Sequence, residues 1–155
     1  MSSLFVVSVT AQPVLTEREC VVIVEFLDGY SLDKVIKDRG RENQPAMDCT
    51  EDLLCAKDVL KGLIAIHSNG LVHLDVKPVN ILLVERGNEK KHVLVDMGIS
   101  AAVTFRQYEI RLDQLPPEAF KDPKCMNMLS DVYSLGANLF RVVSGRLPFE
   151  GEVPM

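Results

Sequence analysis

His73-Leu74-Asp75-Val76-Lys77-Pro78-Val79-Asn80 is the stretch on which the reading of this chain turns, together with Asp96-Met97-Gly98, which begins sixteen residues beyond Asn80. A carboxylate, an ammonium and an amide stand within six residues, and a second carboxylate follows. The segment between them predicts a hairpin. Ile81-Leu82-Leu83-Val84 and Val93-Leu94-Val95 are short apolar runs, and the polar Arg86-Gly87-Asn88-Glu89-Lys90 between them holds a turn-favouring Gly-Asn pair. An antiparallel hairpin sets the start of its first strand beside the end of its second, so Asn80 and Asp96 become neighbours. An amide oxygen and a carboxylate side by side suit a hard cation such as Mg2+, which takes few protein ligands. Pro78 prevents the preceding helix from continuing, which leaves Asp75 and Lys77 on a loop at the same edge.

The rest of the chain supplies context. At 155 residues one domain is the default, and 47% hydrophobic with 25% charged residues is ordinary globular material. A net charge of -5 with no basic run argues against nucleic acid as a partner. Cys20, Cys49, Cys55 and Cys125 have neither C-x-x-C nor metal-site spacing, and read as free thiols in a reducing compartment. No apolar run is long enough for a bilayer, and the N-terminus lacks a positive signal-peptide region. The expectation is a cytoplasmic chain with no membrane association. Its oligomeric state is not legible.

Phe5 to Thr10 and Cys20 to Phe26 are β-rich runs and predict a ragged hairpin. Ser31 caps a helix carrying Leu32, Val35 and Ile36, with Gly40 as its stop. Thr50 caps a second and longer helix, with Glu51 and Asp52 in its first turn. Its stripe is Leu53, Ala56, Leu60, Leu63 and His67, widened by Leu54, Val59, Ile64 and Ile66, so the helix is expected to be mostly buried. Pro116-Pro117 fixes a stiff turn, and a last helix from about Ser130-Asp131 to Gly145 carries Val132, Leu135, Leu139, Phe140 and Val143 as core. Strands followed by helices with a small hairpin among them give an α+β class with a helical majority.

Read as H-x-D-x-K-x-x-N followed by D-x-G, the opening stretch resembles the catalytic loop and metal-binding motif of protein kinases. The resemblance continues along the chain. Val21 to Gly29 is similar to the fifth strand and hinge, residues 51 to 69 to helix E, Pro116-Pro117-Glu118 to A-P-E, and Asp131 to Gly136 to the start of helix F. Each match alone is weak; six in the right order are not a chance result. The resemblance implies a mainly helical partial C-terminal lobe over residues 28–155, preceded by a remnant of N-lobe strands and hinge over residues 1–27.

It also implies roles. Asp75 would accept the proton of a substrate hydroxyl, and Lys77, the mark of the serine/threonine type, would neutralise charge on the transferred phosphoryl group. Asn80 and Asp96 would hold Mg2+, while the main chain of Glu25 and Leu27 would bind the adenine of ATP, with Leu82 beneath it. Asp131 would hold backbone N–H groups of the catalytic loop. The partner implied is a protein substrate or partner protein. Departures are informative too. Leu74 stands where the family carries Arg, so a phosphate-ordered activation loop is not expected, although Ser100, Thr104 and Tyr108 offer hydroxyls. These residues contain no G-x-G-x-x-G loop, no V-A-I-K lysine and no helix C glutamate. The sequence therefore reads as a truncated kinase, weak or inactive as an isolated chain. The alternative reading is a non-catalytic kinase-like interaction module.

Overall fold

The computed structural model describes residues 5–8, 10, 14–15, 20–21, 23–41, 47–96, 116–122, 125–144, 146 and 148. Residues Met97, Gly98, Ser100, Thr104 and Tyr108 lie outside them. In chain order the elements are β1 (Val14–Leu15), β2 (Cys20–Val21), β3 (Gly29–Ser31), α1 (Leu32–Arg41), α2 (Cys49–His67), a 3-10 turn (Pro78–Asn80), β4 (Ile81–Arg86), β5 (Glu89–Leu94), α3 (Pro117–Lys121) and α4 (Met128–Ser144). This is the expected α+β arrangement.

The hairpin is longer than the apolar runs suggest. β4 and β5 pair antiparallel from Ile81↔Leu94 to Arg86↔Glu89, so the turn is only Gly87-Asn88. Gly87 has φ 62°, a left-handed conformation that glycine adopts without steric cost. Charged residues extend the strands because both strand tips are solvent-exposed. β3 adds a third antiparallel strand, Gly29↔Val84 to Ser31↔Leu82, on the other side of β4. It was not read from sequence, since Gly-Tyr-Ser carries no alternating pattern.

The N-terminal ribbon is antiparallel as expected, but β1 lies beyond the expected Phe5–Thr10 run. β1 pairs with β2, Thr10 N–H donates to Ile23 O at 2.9 Å, and Glu25 N–H to Ser8 O at 2.9 Å. Its first residues also add to the hairpin sheet: Val7 N–H donates to Leu94 O at 3.2 Å and Leu94 N–H to Phe5 O at 2.9 Å. Gly62 of α2 makes this approach possible. A Cβ there would stand 2.7 Å from the carbonyl oxygen of Phe5, which is backbone and cannot swing aside.

Ser31 caps α1 as read, its Oγ accepting from Lys34 N–H at 3.3 Å, while Gly40 lies within the last turn rather than ending it. For α2 the cap is corrected. Asp48, not Thr50, is the N-cap, in a capping box with Glu51. Glu51 also takes a bidentate fork from Arg39, at 2.5 and 2.8 Å, which ties α1 to α2 and holds the Glu51 carboxyl down at about 2.

The buried face of α2 is a second correction. Cys55, Asp58, Val59, Gly62, Leu63 and Ile66 face inward, whereas Leu53 and Ile64 are 70% and 63% exposed, and Leu54 and Leu60 are exposed as well. A helix apolar nearly all round does not reveal by periodicity which side packs. α4 repeats the lesson: Leu135, Ala137 and Val142 are buried, but Val132, Phe140 and Val143 are exposed. Its start is Met128, before the expected Ser130. Pro116-Pro117 leads into the short helix α3 rather than a bare turn.

One core joins Leu32, Cys55, Val59, Leu63, Ile66, Val76, Ile81, Leu94, Leu135 and Val142. It lies between α2, α4 and the inner face of the hairpin. Burying each such aliphatic side chain contributes roughly 1.5–3 kcal/mol. Burial pushes the Cys55 thiol up to about 12, so it packs as an inert small hydrophobe.

The Gly62 contact yields a test. Gly62→Ala is expected to destabilise the chain by about 1–3 kcal/mol and to unprotect the amide of Val7 from hydrogen exchange. Unchanged protection at Val7 would contradict the close approach.

Candidate functional site

The loop between α2 and β4 is built on one buried carboxylate. Asp131, in the first turn of α4, is 1% exposed. Its Oδ2 accepts from His73 N–H at 2.8 Å and its Oδ1 from Leu74 N–H at 2.8 Å. His67 Nε2 completes the set at 2.8 Å from Oδ2. An ionised carboxylate only accepts, so His67 carries its hydrogen on Nε2. Three donors replace the water that burial removes.

His73, fully buried, is the next link. Its Nδ1 accepts from Asp75 N–H at 3.2 Å, so Nε2 is the protonated nitrogen and donates to Val95 O at 3.2 Å. One neutral imidazole therefore joins the loop to the end of the hairpin. Burial holds it below the usual histidine value, against the pull of Asp131, Asp75 and Asp96.

The backbone is strained where these contacts act. Leu74 and Asp96 each have φ 64°, and they are the non-glycine residues with positive φ among the described residues. For L residues this region costs roughly 1–2 kcal/mol. At Leu74 the N–H held by Asp131 keeps the chain in place. Strain of this kind concentrates at functional sites.

On this frame Asp75, Lys77 and Asn80 converge. Lys77 Nζ lies 2.6 Å from Asp75 Oδ2, and Asn80 Nδ2 donates to the same oxygen at 2.8 Å and to Asp75 O at 2.9 Å. Both side-chain contacts fall on Oδ2, which leaves Oδ1 directed elsewhere. Asn80 is 5% exposed, and with Nδ2 used its side chain has the amide oxygen left to offer. Asn80 O accepts from Val95 N–H at 2.9 Å, so Asp96 follows directly on the partner of Asn80 at the mouth of the hairpin. The Asn80 amide oxygen and the exposed Asp96 carboxylate are hard-oxygen donors of the kind Mg2+ takes.

Glu25 is fixed twice to Ser8, by its N–H and by its carboxylate, which accepts Ser8 N–H at 3.1 Å. With Leu27 it lines a shallow cavity of about 110 Å3, completed by Val84, Arg86, Glu89, Lys91 and Val93 of the hairpin. Leu82 lies outside that lining but on the same face of β4 as Val84, opposite Val93. The seven residues thus form two groups joined through β4, one around Asp75 and one beside Leu27.

Three contributors were missed. His67 and His92 belong to no motif in the sequence, yet His67 supports Asp131. His92 is 5% exposed; its N–H donates to Asp58 Oδ2 at 3.1 Å, and its Nδ1 stands 3.6 Å from that oxygen. Asn138, inside α4, donates to the carbonyl of Val76. A signal existed for Asn138 alone, as a polar residue within the apolar stripe of a helix.

Burial also lowers His92, so both it and His73 resist charging in the folded state. Their stability contribution is complete above the unfolded-state value of about 6.5 and is lost as pH falls from there through the folded values. Unfolding free energy is expected to decline from pH 6.5 to 5 by up to about 1.4 kcal/mol per pH unit for each histidine. His73→Gln should flatten that slope in denaturant titrations; an unaltered slope would contradict the assignment.

The protein kinase domain family matches residues 5–154. The chain is 33% identical over 147 residues to the serine/threonine-protein kinase pkn2 of Myxococcus xanthus, covering 89% of this chain and 17% of that protein. It is 33% identical over 144 residues to the probable serine/threonine-protein kinase PknB of Bifidobacterium longum, covering 88% and 20%. Against the serine/threonine-protein kinase PknL of Mycobacterium tuberculosis it is 33% identical over 141 residues, covering 87% and 33%. The chain therefore spans a third or less of these relatives. No helix among the described residues is long and apolar enough to cross a membrane. With Asp75, Lys77 and Asn80 gathered on one anchored turn and the family matched over nearly its full length, this chain belongs to the protein kinase domain family.

Proposed function

We propose that the chain transfers the γ-phosphoryl group of ATP to a serine or threonine hydroxyl of a protein, with Asp75 as the proton acceptor. The observation that carries this reading is the Asp75 carboxylate, held on Oδ2 by Lys77 and Asn80 at 2.6 and 2.8 Å. Its other oxygen can orient the substrate hydroxyl and take its proton as the new O–P bond forms. The bridging P–O bond breaks, and its electrons leave with ADP. Lys77 is close enough to Asp75 to share the reaction zone and offset charge on the moving phosphoryl group. Asn80 and Asp96 are the residues suited to hold Mg2+, which when bound neutralises the β- and γ-phosphates. Glu25 and Leu27 would offer main-chain groups to adenine, with Leu82 below it. The serine/threonine assignment rests on Lys77 and on the relatives' names.

These 155 residues hold no glycine-rich loop and no lysine of the V-A-I-K type to grip the phosphates. Slow transfer and weak nucleotide affinity are the consequence. With millimolar Mg-ATP, the chain is expected to melt at a higher temperature and to phosphorylate Ser/Thr peptides slowly and only when Mg2+ is present. Asp75→Asn should lower the transfer rate by roughly 100-fold or more without lowering the melting temperature. Equal rates in the two proteins, or no stabilisation by Mg-ATP, would overturn the proposal.

A further inference from the structure

We infer that Asn138 is a positioning residue for the loop that carries Asp75 and Lys77; its catalytic consequence rests on the phosphotransfer reading above. Asn138 is 3% exposed within α4. Both hydrogens of its amide are in use, Nδ2 donating to Val76 O at 2.8 Å and to Ser134 O at 2.7 Å. The bond to Ser134, one turn back on the same helix, fixes the side-chain rotamer, so the donor aimed at the loop is preorganised.

Val76 stands between Asp75 and Lys77 and is 1% exposed. The peptide unit is planar, so holding the carbonyl of Val76 fixes the orientation of the whole 76–77 unit. That orientation decides whether the side chains before and after it point the same way, as the 2.6 Å Lys77–Asp75 contact requires.

Asp131 precedes Asn138 by seven residues, two helical turns and roughly 10 Å along the same face of α4. Asp131 presents an acceptor to the N–H groups of His73 and Leu74, and Asn138 presents a donor to the C=O of Val76. The loop is clamped at both ends by groups of matching polarity, with Asp75 between them. An apolar side chain at 138 would leave the Val76 carbonyl buried without this donor, and the peptide would have to rotate to find another.

The test compares the full chain with Asn138→Leu and Asn138→Asp, using carbonyl and amide NMR resonances and single-turnover transfer from Mg-ATP. Asn138→Leu is expected to move the Val76 carbonyl and Lys77 amide resonances while leaving Glu85 to Lys90 in place. Transfer should fall roughly tenfold or more, with the KM for ATP changed less than twofold. Asn138→Asp can donate to Val76 only while protonated. Its Val76 resonance should match wild type at low pH and depart as the carboxyl ionises, against wild type titrated over the same range. A purely structural asparagine would produce no such titration at Val76. An unmoved Val76 carbonyl in Asn138→Leu, or no added titration in Asn138→Asp, would overturn the assignment. Should Asn138→Leu fail to fold, Asn138→Asp decides alone. Transfer that survives Asp75→Asn would sink the phosphotransfer reading instead, and leaves the resonance test of Asn138 intact.

Discussion

The acceptance of three hydrogen bonds by the carboxylate of Asp131 is the constraint on which the site depends. A carboxylate at 1% exposure is tolerable only with donors in place of water. Two of those donors are main-chain N–H groups of a loop that belongs to neither a helix nor a sheet, and that would otherwise bury them without partners. The dependence is mutual. Asp131 needs the loop, and the loop needs Asp131 to stay in the left-handed turn at Leu74. That turn sends Asp75 toward Lys77 and Asn80, and its N–H toward His73, which reaches across to Val95 and the strand leading to Asp96.

α2 is the scaffold behind this arrangement. Its last residue, His67, steadies Asp131. Asp58, in its middle, accepts the N–H of His92 and fixes β5. Gly62 admits the backbone of Phe5 and so seats the N-terminal strand against Leu94. Glu51, at its start, holds α1 through Arg39. A single helix thus sets the places of the hairpin, the ribbon and the loop.

The readable part of the molecule was the part whose meaning is local. Asp75, Lys77 and Asn80 lie within six residues, and the hairpin that carries Asn80 toward Asp96 is written in two apolar runs and a Gly-Asn turn. What could not be read depends on partners distant in sequence. Whether Leu53 or Cys55 faces the core follows from where β5 and α4 lie, since both faces of α2 are apolar. Thr50 and Asp48 both carry side chains that accept hydrogen bonds, and Asp48 takes the cap because Glu51 three residues on completes the box. His67 meets Asp131 across 64 residues, and no spacing announces such a pair. Asn138 is polar within an apolar stripe, but its partner, a main-chain carbonyl, has no sequence signature.

Native-state hydrogen exchange at the amides of His73 and Leu74 addresses the anchoring role of Asp131 most directly. Both N–H groups lie outside regular secondary structure, where exchange is ordinarily fast. If the buried carboxylate holds them, they should exchange as slowly as the core amides of α2, opening only with global unfolding, and Asp131→Ala should release them. Exchange at the rate of an open loop in the unaltered chain would contradict the account.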